Sequence, residues 1–574
     1  MLLSATAYAA VSDMNWSVDT YEPRSPIITG SVASGFHGAV APMTRMTMRT
    51  VNALSGTDRS WKGVAWRNER VNAQFVVWTR EGAEQLRVKV GDLVSPDGGV
   101  IPVAACRARF LRYVLSSQVN REGRVVHPEA LIGDCLDTAE MVDMPPNSFR
   151  PFWFTVDVPE TAKPGVYAGK VTAVAQGGRE VEFDVSFEVQ GRTLPAPKDW
   201  KFFLDLWQHP LAVARYHGVK PWSKDHYSLL KPLLEELASI GQKTITATLT
   251  DLPWNHQNFD PYRTMVEHVK GADGKFTHDY RLFDEWVAFA QSCGLGPQIH
   301  CYTMVMWGNL VHYVDGTTGD RVAEKLIPGT PEHEAFWGPF LADFERHVAA
   351  KGWLGRVYIA IDERSREELM ASAAVLKKFA PGLKIQMAGN RPPSTFEGIE
   401  IHNYSQGMRA NYVTKEFKEE VKARRAKGFT TTTYICCSPA RPNTFTFSPY
   451  PEQQWLGLYA AAQGFDGMLR WAAFNWPRDP LFDTSFGPHH GSWAPGDTFL
   501  VYPGPRLSVR FENLRDSIEN FEKIRILRET GASTPKLEDA LAKIDFTGEA
   551  ANGSEAYFAA RVKAVTDAIE EASR

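Results

Sequence analysis

Apolar and polar positions follow two rhythms along this chain. In the first third the period is two. Val181, Phe183, Val185, Phe187 and Val189 alternate with Glu182, Asp184, Ser186, Glu188 and Gln190, which puts every apolar side chain on one face of a strand. Residues 74–79, 86–90, 108–114, 152–158 and 165–175 read as strands too. Turn signals such as Pro96-Asp97-Gly98-Gly99 and Lys163-Pro164-Gly165 separate some of them. Short strands punctuated by turns predict an antiparallel β-sandwich, placed at 13–196. Gly191, Pro195 and Pro197 then break the pattern and read as a linker.

From residue 197 strand-like and helix-like runs alternate. Strands are expected at 202–207, 244–249, 297–302, 356–362, 384–388, 400–404, 431–436 and 467–474. Helices fit at 227–240, 282–292, 332–350, 367–379, 415–426 and 452–462. Eight such units predict a (β/α)8 TIM barrel over 197–505. Gly241, Gly294, Gly352, Gly382, Gly428 and Gly464 each precede a strand, where glycine suits the left-handed end of a helix. The connections at 250–280, 303–330 and 475–505 are long and all follow strands, so the working face lies at the C-terminal strand ends. Residues 506–574 read as a helical segment packing on the barrel, with an amphipathic helix at 555–573.

Composition narrows the partners. The chain has 574 residues, 44% hydrophobic and 23% charged, with a net charge of −4. Nucleic acid and anionic membranes favour a basic face, so neither is expected as a partner. No run of 18 or more apolar residues occurs, and no membrane span is expected. The 17 tryptophans suit both cores and the stacking of sugar rings. Residues 1–12 read as a leader: Ala7-Tyr8-Ala9 fits a small-x-small cleavage site, although the apolar stretch before it is short and lacks a basic residue. The expectation is an exported, periplasmic or extracellular protein whose signal peptide is incomplete in this sequence. The six cysteines form no zinc-type spacing; Cys106 and Cys135 share one module and are candidates to pair. No cofactor or metal is expected: H-E-x-x-H, G-x-x-x-x-G-K-[ST] and G-x-S-x-G are all absent. The oligomeric state is left open.

The candidate chemistry lies in Val357-Tyr358-Ile359-Ala360-Ile361-Asp362-Glu363-Arg364-Ser365. The apolar run is the fourth barrel strand, and Ser365 with Glu368 forms a capping box that starts a helix. Two carboxylates are thereby pinned at a C-terminal strand end. Another pair, Asp284-Glu285, falls on a helical face and is set aside. Asp362-Glu363 has a structural alternative, an ion pair with Arg364 or Arg391. An ordinary glycosidase places two carboxylates on opposite sides of the scissile bond. No acid ends strand six or seven, which favours a mechanism in which a 2-acetamido group of the substrate supplies the nucleophile.

The sequence resembles the family 123 glycoside hydrolases, a β-N-acetylgalactosaminidase family, in a bacterial branch. The resemblance runs through Trp66–Phe75, Pro164–Gly169, Ile361-Asp362-Glu363, 467–472, Asn475-Trp476 and Asp479-Pro480. It continues in Pro495-Gly496-Asp497, Tyr502-Pro503-Gly504, Ser508-Val509-Arg510 and Glu522-Lys523. It implies that Asp362 orients the acetamide, that Glu363 is the general acid/base, and that the substrate is a glycan ending in a β-linked N-acetylhexosamine. Tyr434 is a candidate donor to the acetamide oxygen. Trp207, Trp471 and Trp476 are candidate sugar walls or, alternatively, barrel-core aromatics. Asn390, Asn403, Tyr404 and Asn475 are further substrate-binding candidates. Arg470, inside a strand, needs a carboxylate, with Asp205 or Asp362 expected. Two competing readings remain: a conventional glycosidase pairing Glu363 with Asp205, Asp251 or Asp479, and a non-catalytic carbohydrate-binding protein.

Overall fold

The computed structural model describes residues 34–44, 58–119, 124–255, 257–486 and 493–574. The expected leader and its cleavage site lie outside these.

The period-two segment folds as a two-sheet sandwich. One sheet runs in the order Phe36–Ala41, Arg70–Thr79, Ser148–Asp157, Cys106–Val119, Val125–Leu136. The other runs Ser60–Arg67, Glu180–Thr193, Gly165–Val174, Ala83–Val90, Val142–Met144. Val181, Phe183, Val185, Phe187 and Val189 all point into the core between the sheets, with Phe75, Phe152 and Phe154. The pairing is antiparallel except between Glu180–Thr193 and Ser60–Arg67, which run parallel. These two strands are far apart in sequence, so no hairpin dictates their direction. Cys106 and Cys135 are buried free thiols. Cys106 stands opposite Val156 and Cys135 opposite Arg112, so the register keeps them apart.

All eight barrel strands form: Phe203–Leu206, Thr244–Thr248, Gln298–Tyr302, Val357–Asp362, Lys384–Gly389, Asn403–Gly407, Thr430–Ile435 and Gly467–Arg470. They pair in parallel in one nearly closed sheet. The gap lies between the first and second strands, which share a single bridge, Leu204 to Gln242. Side-chain amides substitute for the missing ladder. Gln242 Oε1 accepts from the Leu206 N–H at 3.0 Å, and its Nε2 donates to the carbonyls of Leu206 and Thr244, each at 3.0 Å. The Gln208 N–H donates to Thr246 Oγ1 at 3.2 Å, and Gln208 Oε1 accepts from the Thr246 N–H at 2.8 Å. Backbone groups buried at the seam are thus satisfied.

The structure departs from expectation in four places. Strand six starts at Asn403 rather than 400. Strand eight ends at Arg470. No α-helix separates strands five and six; Pro392 and Pro393 leave only a 3-10 turn, Pro393–Phe396. Gly241, Gly294, Gly352, Gly428 and Gly464 adopt positive φ, whereas Gly382 does not. A Cβ on Gly382 would instead collide with Glu345 Oε1. The loops after strands two and three each carry a hairpin, Glu267–Lys270 with Phe276–Asp279 and Leu310–Asp315 with Arg321–Lys325. These merge into a four-stranded sheet following the C-terminal strand ends.

The tail motifs join the modules. Arg510 Nε donates to both oxygens of Asp134 at 3.0–3.1 Å, and its Nη1 donates to the carbonyls of Thr444, Gly496 and Phe499. Tyr502 Oη donates to Asp134 at 2.6 Å. Arg70 pairs with Glu512, and Lys523 with Glu69. Glu522 Oε1 accepts from the N–H groups of Lys201 and Phe202 at 2.6 and 2.7 Å, fixing the entry to strand one.

Gln242→Ala should leave the Leu206 N–H buried without a partner and cost about 1–3 kcal/mol in urea unfolding. A change under 0.3 kcal/mol (roughly the additivity error of such comparisons) would show that the seam does not depend on this amide.

Candidate active site

The fourth strand is apolar and buried along its length until Asp362, which is only part-buried. The capping box forms as expected: Ser365 Oγ accepts from the Glu368 N–H at 3.2 Å, and Glu368 Oε2 accepts from the Ser365 N–H at 3.3 Å. Glu363 and Arg364 alone bridge strand and helix cap. Glu363 takes φ +25°, a left-handed value that a non-glycine residue adopts only under strain. Its N–H is held by the Ala388 carbonyl on strand five at 2.9 Å.

Among the described residues each carboxylate has one side-chain donor. Trp307, in the loop after strand three, donates its indole N–H to Asp362 Oδ2 at 2.8 Å. Tyr434, on strand seven, donates its hydroxyl to Glu363 Oε1 across the barrel mouth. Strands five and six lie between, and both end in glycine. At Gly407 a Cβ would stand 3.0 Å from the Tyr434 ring and hydroxyl; at Gly389 it would overlap the Tyr404 hydroxyl. The missing side chain at Gly407 lets Tyr434 lie over the end of strand six.

The electrostatics bear on Asp362 and on Tyr434. Burial, then the neighbouring Glu363, pushes Asp362 up from the ordinary carboxylate range to about 7; the Trp307 donor and Arg364 pull the other way. Burial and the Glu363 charge hold the Tyr434 phenol well above its usual value, so it remains a donor. Among the described residues neither Asp362 nor Glu363 has an ion-pair partner within 4 Å. Arg364 lies over the Trp307 ring, 4.4 Å from its centroid, with Nε donating to the Val305 carbonyl, and Arg391 is exposed. The structural ion-pair alternative is therefore not what the fold builds.

Other candidates scatter. Tyr434 and Trp207 join Trp254, Tyr262, Tyr302 and Leu469 in an apolar cluster, with Trp471 packed against it. Trp207 is 2% exposed and stacks on Trp254 at 4.9 Å, so it backs this cluster rather than offering an open face. Trp471 is part-exposed, with its N–H on Asp497 at 3.2 Å. Asn390 is part-buried beyond the end of strand five. Four candidates lie buried on partners within the protein. Trp476 is wholly buried, its N–H on the Val501 carbonyl at 2.7 Å. Asn475 is buried and donates to Asn258, tying two loops together. Asn403, with strand six starting later than expected, sits at its N-terminal end and donates to Gln298 at 2.9 Å. Tyr404 is fully buried in the main core, with its hydroxyl on the Arg391 carbonyl.

Two of the three acids proposed for a conventional pair are otherwise engaged. Asp205 is buried within the barrel, accepting from Thr244 at 2.6 Å and facing His300 at 3.1 Å. Asp251 is held by Arg263 and Arg321. Asp479 lies where Arg112 of the sandwich is its main neighbouring cation. Arg470 pairs with Asp497 at 2.9 Å, both wholly buried, rather than with Asp205 or Asp362. Among the described residues no three His, Cys, Asp or Glu side chains are placed to hold a metal ion. Sequence reasoning missed Trp307 and Gly407, and read Asp497 only as part of the Pro495-Gly496-Asp497 motif, not as the partner of Trp471 and Arg470.

The family model described as glycoside hydrolase 123, catalytic domain, matches residues 207–527, and its N-terminal domain model matches 45–175. A family 123 glycoside hydrolase from Clostridium perfringens, described for glycolipid glycan hydrolysis, superposes with a TM-score of 0.86 at 25% identity, over 94% of this chain and 98% of that one. A family 5 xyloglucanase from Bacteroides ovatus reaches only 0.25 at 10% identity, over 84% and 99%. A family 2 β-galacturonidase from Eisenbergiella tayi reaches 0.29 at 12% identity, over 85% and 72%. Neither of the last two bears on the chemistry. No curated protein matches the chain.

The raised Asp362 carboxyl has a stability consequence. Its folded-state value, about 7, exceeds the ordinary 3.8, so folding favours the protonated form. That contribution is present below pH about 4 and is lost as pH rises through about 7. Asp362→Asn should therefore match the parent near pH 4 and exceed it above pH 7.5 by a few kcal/mol, about 2–4. Urea unfolding of both proteins across pH checks this; a margin independent of pH would contradict it.

Proposed function

The chain belongs to glycoside hydrolase family 123 and acts on a glycan, and from that premise we propose a retaining exo-β-N-acetylhexosaminidase that removes β-linked N-acetylgalactosamine by substrate-assisted catalysis. The observation that carries this reading is the adjacent pair. Among the described residues Asp362 and Glu363 lack cation partners, while the alternative acids Asp205 and Asp251 are held by partners of their own. Adjacent carboxylates are poorly placed to straddle a glycosidic bond, and well placed to serve a nucleophile that the sugar carries itself.

In the first step the acetamide carbonyl oxygen attacks the anomeric carbon and the glycosidic C–O bond breaks. Glu363 gives its proton to the departing oxygen. The adjacent pair enters this step sharing one proton: the acetamide N–H, bound to Asp362, favours the ionised form of that carboxyl and leaves the proton on Glu363, and Asp362 then stabilises the positive charge of the oxazolinium. In the second step Glu363 takes a proton from water, whose oxygen attacks the anomeric carbon from the side the leaving group left. The C–O bond to the acetamide oxygen breaks, and the configuration is retained. Tyr434 keeps Glu363 aimed across the mouth, and exchange of that bond for the acetamide oxygen is open to it once substrate enters. Trp471 offers a part-exposed ring to the sugar. The glycolipid glycan chemistry described for the Clostridium perfringens relative is consistent with a terminal hexosamine as the target.

Export to the periplasm or beyond belongs to the same proposal, supported by the Ala7-Tyr8-Ala9 site in the sequence. No helix among the described residues is long and apolar enough to cross a membrane.

Hydrolysis of nitrophenyl β-N-acetylgalactosaminide, its glucosaminide and the plain β-galactoside, by the parent and Glu363→Gln, tests the reading. Turnover of the acetamido sugars alone is expected, with the galactosaminide preferred. Glu363→Gln should cut turnover of poor leaving groups by roughly 10²–10⁴-fold and spare good ones. Comparable turnover of the plain galactoside would favour a conventional carboxylate pair.

A further inference from the structure

Trp307 stands out among the aromatics. It is 40% exposed, on a loop where burial gives it little stabilisation, yet it is held from several directions. Its backbone N–H donates to the Pro253 carbonyl in the loop after strand two at 3.1 Å. The turn behind it closes with the Asn309 N–H on the Met306 carbonyl at 3.1 Å, between the positive-φ residues Met304 and Asn309. Arg364 covers the ring and ties itself to Val305 in the same loop. What this arrangement delivers is one bond, the indole N–H on Asp362 Oδ2 at 2.8 Å.

We propose that Trp307 is a positioning residue for the dyad: by occupying Asp362 Oδ2 it fixes the carboxylate plane and leaves Oδ1 to receive the substrate's acetamide N–H. This rests on the substrate-assisted reading for its functional part. Oδ1 has no hydrogen-bond partner among the described residues, which leaves it available to a ligand. A carboxylate with one oxygen fixed can present the other in one direction only, which a reaction through a five-membered oxazolinium ring requires. The N–H bond also favours the ionised carboxylate, the form that stabilises a positive intermediate. The titratable and charged groups around Asp362 are Glu363 and Arg364 from its own strand end, Tyr302 from strand three and Tyr434 from strand seven. Trp307 is a neutral donor, so its removal changes Asp362 without altering the charge count.

Trp307→Phe keeps a ring under Arg364 and removes the donor. On an acetamido substrate it should lower kcat roughly 10–100-fold, the range for one hydrogen bond to a charged group, with KM changed less than about 3-fold. Trp307→His, which can return an N–H, should recover part of the loss. In an Asp362→Asn background Trp307→Phe should cost little, because the residue it acts through is already altered. A second measurement needs no substrate. The stability difference between the parent and its Asp362→Asn variant has a pH midpoint, which should rise by about one pH unit when Trp307→Phe is added to both. An unmoved midpoint, or an equal kcat loss in both backgrounds, would overturn the proposal. If the parent hydrolyses the plain galactoside as well as the acetamido sugar, the substrate-assisted reading falls, and the unfolding midpoint still decides whether Trp307 governs Asp362.

Discussion

A charge taken out of water must be matched, and several of this protein's buried charges are closed on opposite ones, whereas the acid pair at the end of strand four is not. Arg510 is closed on Asp134, Arg470 on Asp497, Arg70 on Glu512 and Asp157, Asp251 on two arginines. These pairs weld the sandwich to the barrel and one barrel strand to its following loop. At the end of strand four the matching stops. Asp362 and Glu363 sit side by side with neutral donors, an indole and a phenol, in place of cations. Neutral donors orient a carboxylate without pinning its charge, so the pair can still exchange protons with a substrate. The nearest guanidinium, Arg364, is turned onto an aromatic face instead.

The scaffold's rigidity serves this arrangement. Glu363 carries backbone strain at φ +25° because Ala388 on one side and the Ser365–Glu368 box on the other leave the chain two residues to turn in. Tyr434 reaches Glu363 because strand six ends in a glycine. The loops after strands two and three are stiffened by their shared sheet, and they deliver Trp307 to Asp362. Each carboxylate is thus oriented from a different element, and neither depends on the other for its position.

Much of this was legible in the sequence, where local patterns decide structure. The eight strands, the long helices and the carboxylates at a strand end follow from periodicity, a capping box and terminal glycines. What was not legible depends on long-range register. Strand six begins three residues late because Asn403, Ser405 and Gln406 are polar yet buried, so no hydrophobic alternation marks its start. That shift moved Asn403 to the far end of the strand and Tyr404 into the core. Arg470 finds Asp497 rather than Asp205 or Asp362 because the loop after strand eight folds back over the barrel. Trp307 looked like any apolar residue in a long loop. The tail motifs that carried the family resemblance are joints between modules, which explains their specificity without giving them chemistry.

The central claim is that the substrate's own acetamide is the nucleophile, with Asp362 and Glu363 in separate roles. The most direct measurement is inhibition by the thiazoline analogue of N-acetylgalactosamine, a stable sulfur mimic of the oxazolinium ring. The account predicts competitive inhibition at concentrations at least about 100-fold below KM, as expected for a mimic of a high-energy species, and its loss in Asp362→Asn. An enzyme that turns over its substrate undisturbed by the thiazoline would contradict it.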